Sequence, residues 1–162
     1  TWMAGQAKFI ATFKDAFWRN ANLSGQCFSR VGPMVEIHDA SAADNSSPAL
    51  FGFIGVPYSS RSQISTEQLK QACMKQLAYF YGDDAYNATA YFIKDWAKDE
   101  FVADKNDLTQ PSQHPDFNFT GLNEQLNSLN IHFVASEFAK QEAGYLEGAI
   151  NAVDEVIELL SE

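Results

Sequence analysis

The strongest constraint on this fold is the alternation near the start of the chain. Phe9, Ala11 and Phe13 take every second position, and Lys8, Ile10, Thr12 and Lys14 fall between them. That is the two-residue period of a strand with one buried face. A strand of this kind needs neighbours, and the following residues supply them. Residues 23–32 (LSGQCFSRVG) read as a turn and a short strand, and Val35, Glu36 and Ile37 as another extended piece. The segment 40–48 (ASAADNSSP) is a turn-rich break, and 50–56 (LFGFIGV) is a compact apolar strand ending at Pro57. Strands joined by short turns predict an antiparallel meander.

A helix is expected next. Ser65 and Gln68 make a capping-box pattern, Leu69, Ala72, Cys73, Leu77 and Phe80 recur at helical spacing, and Gly82 supplies a stop. Residues 90–96 (AYFIKDW) read as a further strand, and 103–127, polar and broken by Pro111 and Pro115, as a long loop. Ile131 to Ala135 reads as a short buried strand. After a turn, residues 144–160 form an amphipathic helix with Leu146, Ala149, Ile150, Val153, Ile157 and Leu160 on one stripe. The expected class is therefore α+β: an antiparallel meander packed with one main helix, then a C-terminal strand-turn-helix. The boundary is expected near residue 128, with parts 1–128 and 129–162.

Composition narrows the function. Apolar residues make up 46% of the 162 positions and aromatic ones 14%, enough for a sizeable core. Eleven basic against 21 acidic residues give a net charge of −10. Such a surface repels phosphate backbones and anionic lipid, which argues against nucleic-acid or membrane partners. Cys27 and Cys73 show no C-x-x-C spacing; they leave a disulfide open and fit a reducing, cytoplasmic setting at least as well. The opening Thr1-Trp2, without Met, reads as a cut end.

Ordinary active-site motifs are missing. His38, His114 and His132 share no metal-ligand spacing, so no metal site is expected, and His132 reads as a structural histidine on its strand. There is no G-x-S-x-G, P-loop or G-x-G-x-x-G pattern. Asp83-Asp84 reads as a solvated helix end, and Cys73 as a packed thiol. The C-terminal unit is the exception. A helix N-terminus gathers unpaired N–H groups and partial positive charge, Gly144 allows close backbone approach, and Tyr145 projects from the first turn. Spacing alone favours an ordinary strand-to-helix turn with Gly144 there for packing.

The segment Ala135-Ser136-Glu137, followed by Gly144-Tyr145-Leu146-Glu147-Gly148-Ala149, resembles the closing motif of the flavin-containing amine oxidases. That family includes monoamine, polyamine and L-amino-acid oxidases. Ala16-Phe17-Trp18-Arg19, the FSRVGP run from Phe28, the ALFGFIGVP run from Ala49, and Lys94-Asp95-Trp96 are similar to bacterial members, in order along the chain.

The resemblance implies a flavoprotein oxidoreductase in which FAD takes a hydride from a small-molecule amine and O2 becomes H2O2. The last helix would point its N-terminus at the N1/C2=O edge of the flavin, where reduction places negative charge. Ala135, Ser136, Glu137, Gly144, Tyr145 and Leu146 would contact the cofactor, with Tyr145 as an aromatic wall beside the substrate. Trp96 would pack near the flavin in a substrate domain. The second wall aromatic falls in 101–106, where Phe101 is the one aromatic residue, and the absence of cysteine there implies non-covalent FAD. Ala135 stands where the family motif has glycine. The lysine that holds a water near flavin N5 is expected before Thr1, which excludes Lys8 and Lys14. The chain would then be an incomplete, inactive part that needs an N-terminal FAD-binding half and self-associates through an exposed seam. The alternatives are a non-catalytic binding module of the same fold and one subunit of a split two-chain oxidase.

Overall fold

The opening alternation is realised as strand β1, Ala7–Thr12, whose residues are buried at every second position. A computed structural model describes residues 5–44, 46–109, 117 and 119–161. His114, Pro111 and Pro115 lie outside those residues, as do Thr1 and Trp2. Two compact units result, Thr1–Gln113 and His114–Glu162.

In the first unit, β1 is followed by α1 (Phe17–Asn20), β2 (Cys27–Phe28), β3 (Met34–Asp39), β4 (Ala49–Ile54), α2 (Tyr58–Arg61), α3 (Thr66–Tyr81) and β5 (Ala90–Asp95). The five strands form one antiparallel sheet in the order β2-β3-β4-β1-β5. This corrects the simple meander. The first strand sits between the fourth and fifth, because both of its edges carry a full ladder. One sheet face packs Phe9, Ala11, Ile37, Leu50 and Ile54 against Leu69, Cys73 and Leu77 of α3.

α3 starts where expected. The Ser65 side chain accepts from the Gln68 N–H, and the Gln68 side chain accepts from the Ser65 N–H. Ala72 is exposed, however, and Met74 and Gln76 join the buried face instead. Gln76 has a clear task there: Oε1 accepts from the Met34 N–H at 2.8 Å, and Nε2 donates to the carbonyls of Val31 at 2.6 Å and Met34 at 2.7 Å. It satisfies backbone groups that helix packing would otherwise strand.

Arg61 is the most buried charge in the unit. It pairs with Asp95 through two nitrogens, at 2.9 and 2.6 Å, and donates to the carbonyls of Val56 and Gly5. Asp39 is the second polar anchor. Trp18 Nε1 donates to its Oδ2 at 2.8 Å, Arg19 Nε to the same oxygen at 2.6 Å, and the Ser41 N–H to Oδ1 at 2.8 Å.

In the second unit, α4 (Thr120–Ser128) occupies part of the expected loop. Leu122 and Leu126, one helical turn apart, sit in a run without proline or β-branched residues after position 120. The expected strand at Ile131 to Ala135 is absent, because a strand requires a ladder and no described residue pairs with it. His132 therefore lies in irregular chain, where Nδ1 meets Asn127 Oδ1 at 2.8 Å. The last element is α5 (Leu146–Ser161), preceded by a 3-10 turn at Ser136–Phe138. Among the described residues no helix is long and apolar enough to cross a membrane.

The Asp39 anchor predicts a pH dependence. Burial opposes its ionisation, but the hydrogen bonds from Arg19, Ser41 and Trp18 outweigh that and hold its carboxyl below the usual carboxylate range. The unfolded pKa is about 3.9, so the contribution is fully present above about pH 4 and is lost as pH falls towards the folded value. Urea unfolding followed by tryptophan fluorescence will show Asp39→Asn less stable than wild type at neutral pH. The gap will narrow below about pH 4, and a gap independent of pH would mean that the negative charge plays no part.

Candidate functional site

Two regions carry the candidate chemistry, one in each unit. In the second unit, Gly144 turns the chain at φ 84 and donates its N–H to the Ser136 carbonyl at 3.2 Å. The Tyr145 N–H bonds to Glu142 O at 3.0 Å, and Ser136 Oγ donates to Glu137 Oε2 at 3.1 Å. Gly148 closes the arrangement. A Cβ there would run into the Glu142 carbonyl and lie 3.3 Å from that of Ser136, so glycine lets α5 seat against this turn.

The seating leaves the amino end of α5 open. The N–H groups of Leu146, Glu147 and Gly148 have no acceptor among the described residues. Leu146 is 91% exposed and Tyr145 55% exposed. Unpaired donors at a helix start suit an electron-rich oxygen or nitrogen. Glu147 is the acidic residue of that first turn. Ser136, Glu137, Gly144, Tyr145 and Leu146 lie around this one turn, with Ala135 immediately ahead of its 3-10 segment.

The rest of α5 differs from expectation. Its buried residues are Gly148 and Ala152, while Leu146, Ile150, Val153, Ile157 and Leu160 form an exposed stripe. On another side of the helix, Ala152 and Leu159 line a cleft of about 500 Å³ with Phe119, Phe133 and Phe138. Those three rings stack in series at 4.9 and 4.7 Å.

In the first unit, the sheet face opposite the core is open and carries two side-chain rows set by register. Phe28, Glu36, Phe53, Lys8 and Lys94 stand side by side across all five strands. His38, Phe51, Ile10 and Phe92 form the neighbouring row across four. Lys8 Nζ lies 4.0 Å from the centre of the Phe51 ring and 5.1 Å from that of Phe53. His38 stacks on Phe51 at 5.1 Å. Trp96 follows β5 in a 3-10 turn, half exposed, with Lys94 Nζ 4.6 Å from its ring centre and held by Asp99 at 2.6 Å. Thus Trp96 belongs to the first unit and the other expected site residues to the second.

Sequence reasoning overlooked Glu36, His38, Phe51 and Phe53. They occupy the second set of positions in the strand alternation, the signal that could have found them. Burial pushes the Cys73 thiol up to about 12 and raises that of the partly buried Cys27. Asp83 and Asp84 are exposed, at the start of a 3-10 turn. Among the described residues, no three His, Cys, Asp or Glu side chains gather as a metal site.

The profile of the flavin-containing amine oxidoreductases matches residues 1–156, through both units. The chain belongs to this family. It is 25% identical over 158 residues to a probable flavin-containing monoamine oxidase A of Dictyostelium discoideum, covering 93% of this chain and 33% of that protein. It is 26% identical to amine oxidase [flavin-containing] B of Bos taurus, covering 90% and 28%. The chain thus spans about a third of the length of these relatives. Its fold is similar to cyclohexylamine oxidase from Brevibacterium oxydans, with a TM-score of 0.73, 20% identity and coverage of 97% and 36%. A putrescine oxidase solved with putrescine aligns with a TM-score of 0.70 at 20% identity, covering 97% and 35%.

The seating of α5 depends on Gly148. Gly148→Ala will weaken the second unit by about 1–3 kcal/mol, since the colliding partner is backbone. Hydrogen exchange of α5 amides will read the loss. Gly121→Ala, in open space on α4, will leave that protection intact. Equal behaviour of the two variants would show that the close approach does not matter.

Proposed function

We propose that this chain forms part of an FAD-dependent amine oxidase, in which an amine is oxidised to an imine and O2 is reduced to H2O2. The observation that carries this reading is the family match through both units, over residues 1–156. The five-stranded sheet is assigned to the substrate side and residues 129–162 to the FAD side. When bound, non-covalent FAD would supply the hydride acceptor.

The chain's own residues have distinct tasks. The N–H groups at the start of α5 stabilise negative charge at the flavin's N1/C2=O edge. Ala135, Ser136, Glu137, Gly144 and Leu146 shape that contact. Tyr145 supplies an aromatic wall for the substrate amine, and Trp96 packs near the cofactor. Lys8 takes the role of the lysine that holds a water near flavin N5, in place of a residue before Thr1. In support, Lys8 stands on a strand with Nζ on the open face, against the rings of Phe51 and Phe53. Lys14 lies beyond the end of β1.

A second reading draws support from the exposed Leu146–Ile150–Val153–Ile157–Leu160 stripe. Such a surface calls for a covering partner, either an FAD-binding half or, for a non-catalytic module, another protein. On either reading this chain alone is inactive, and by itself it self-associates.

Anaerobic addition of amines to the whole FAD-loaded protein tests the proposal. The flavin absorbance band will bleach with a cognate amine, and Lys8→Met will retain flavin but bleach about 100-fold more slowly. Bleaching of Lys8→Met at the wild-type rate would remove Lys8 from the mechanism. Failure of every class of amine to bleach the flavin would favour the binding module.

A further inference from the structure

We infer that Lys94 is a positioning residue: its ammonium, set in place by Asp99, holds the Trp96 ring in one orientation for the flavin reaction. This rests on the reading that places Trp96 beside the cofactor.

A pair of facing lysines is the starting point. Lys8 on β1 and Lys94 on β5 are direct partners in the ladder, so both side chains stand on the open face. Like charges directly opposite each other destabilise a sheet, and these two side chains diverge. Lys8 leans over β4, with Nζ 4.0 Å from the centre of the Phe51 ring. Lys94 turns instead to the chain that follows its own strand. Its Nζ donates to Asp99 Oδ2 at 2.6 Å and lies 4.6 Å from the centre of the Trp96 ring.

The carboxylate that holds Lys94 is itself fixed to the Trp96 turn. Asp99 donates its N–H to the Trp96 carbonyl at 3.1 Å, and Asp99 Oδ1 accepts from the Phe101 N–H at 3.1 Å. A lysine ammonium rides on a flexible four-carbon stem, and pairing with an anchored carboxylate confines it. An ammonium so placed, within about 6 Å of an indole centre, is attracted to the face of the ring.

The ring has little else to orient it. Trp96 is 42% exposed, its turn is three residues long, and Nε1 has no hydrogen-bond partner among the described residues. The Asp95 cap fixes the backbone of that turn, which sets where the side chain starts and leaves its rotation open. The Lys94 contact favours one rotation over the others. The two lysines of this face therefore have separate tasks: Lys8 keeps its amine for the proposed reaction, and Lys94 directs its charge to an aromatic ring.

The test is a double-mutant cycle on the limiting rate of flavin reduction, in the whole FAD-loaded protein with the amine that bleaches the flavin fastest. Lys94→Met will lower that rate by about 3- to 30-fold, and Trp96→Leu by at least as much. The amine concentration that half-saturates the rate will stay as in wild type, because Trp96 meets the cofactor and not the amine. Lys94→Arg, whose guanidinium also pairs with carboxylate and stacks on indole, will stay near wild type. The double variant will be no slower than Trp96→Leu alone, since Lys94 acts through the ring. A wild-type rate in Lys94→Met, or losses that multiply in the double variant, would overturn the positioning role and leave Trp96 at the cofactor. A wild-type rate in Trp96→Leu would overturn that placement, and the role of Lys94 with it. A flavin that no amine reduces would overturn the oxidase reading itself.

Discussion

The double pairing of β1 is the constraint on which the first unit depends. Each residue from Ala7 to Thr12 has a ladder partner on β4 and another on β5. A slip of one residue would bring Lys8 into the core and expel Phe9, so the burial of Phe9, Ala11 and Leu50 also fixes what the other face presents. Gly52 contributes to this register. A Cβ there would meet Met34 Sδ, so its absence lets the methionine cross the sheet opposite Phe9. Core packing thereby positions Lys8, Phe51 and Phe53 without any of them entering the core.

The buried Arg61–Asp95 pair acts on the sheet's end. Taking both charges out of water costs much of what their attraction returns, so net stability is not its main effect. Its geometry is more telling. One guanidinium joins the carbonyl of Gly5 before β1, the carbonyl of Val56 after β4 and the carboxylate of Asp95 at the end of β5. β4, β1 and the edge strand β5 are tied at one point. Asp95 Oδ1 also accepts from the Ala97 N–H at 3.2 Å, which caps the turn carrying Trp96. A fully hydrogen-bonded ion pair thus directs an aromatic residue that has little burial of its own to hold it.

Local signals in the sequence were legible where neighbouring residues determine the outcome. The Phe9–Ala11–Phe13 alternation and the Ser65–Gln68 capping box both operate within a few residues, and both are realised. The insertion of β1 between β4 and β5 was not legible, because strand order depends on contacts between distant segments. Nor was the β-bulge at Val35 on β3, which shows only as Met34 and Ile37 sharing a face at odd spacing. Ile131 to Ala135 has the composition of a strand, but composition cannot supply a ladder. At the C-terminus the glycine-flanked helix start was recognisable from Gly144 to Ala149. Which stripe of α5 would be covered was not, since amphipathic spacing marks an apolar face without naming what packs on it.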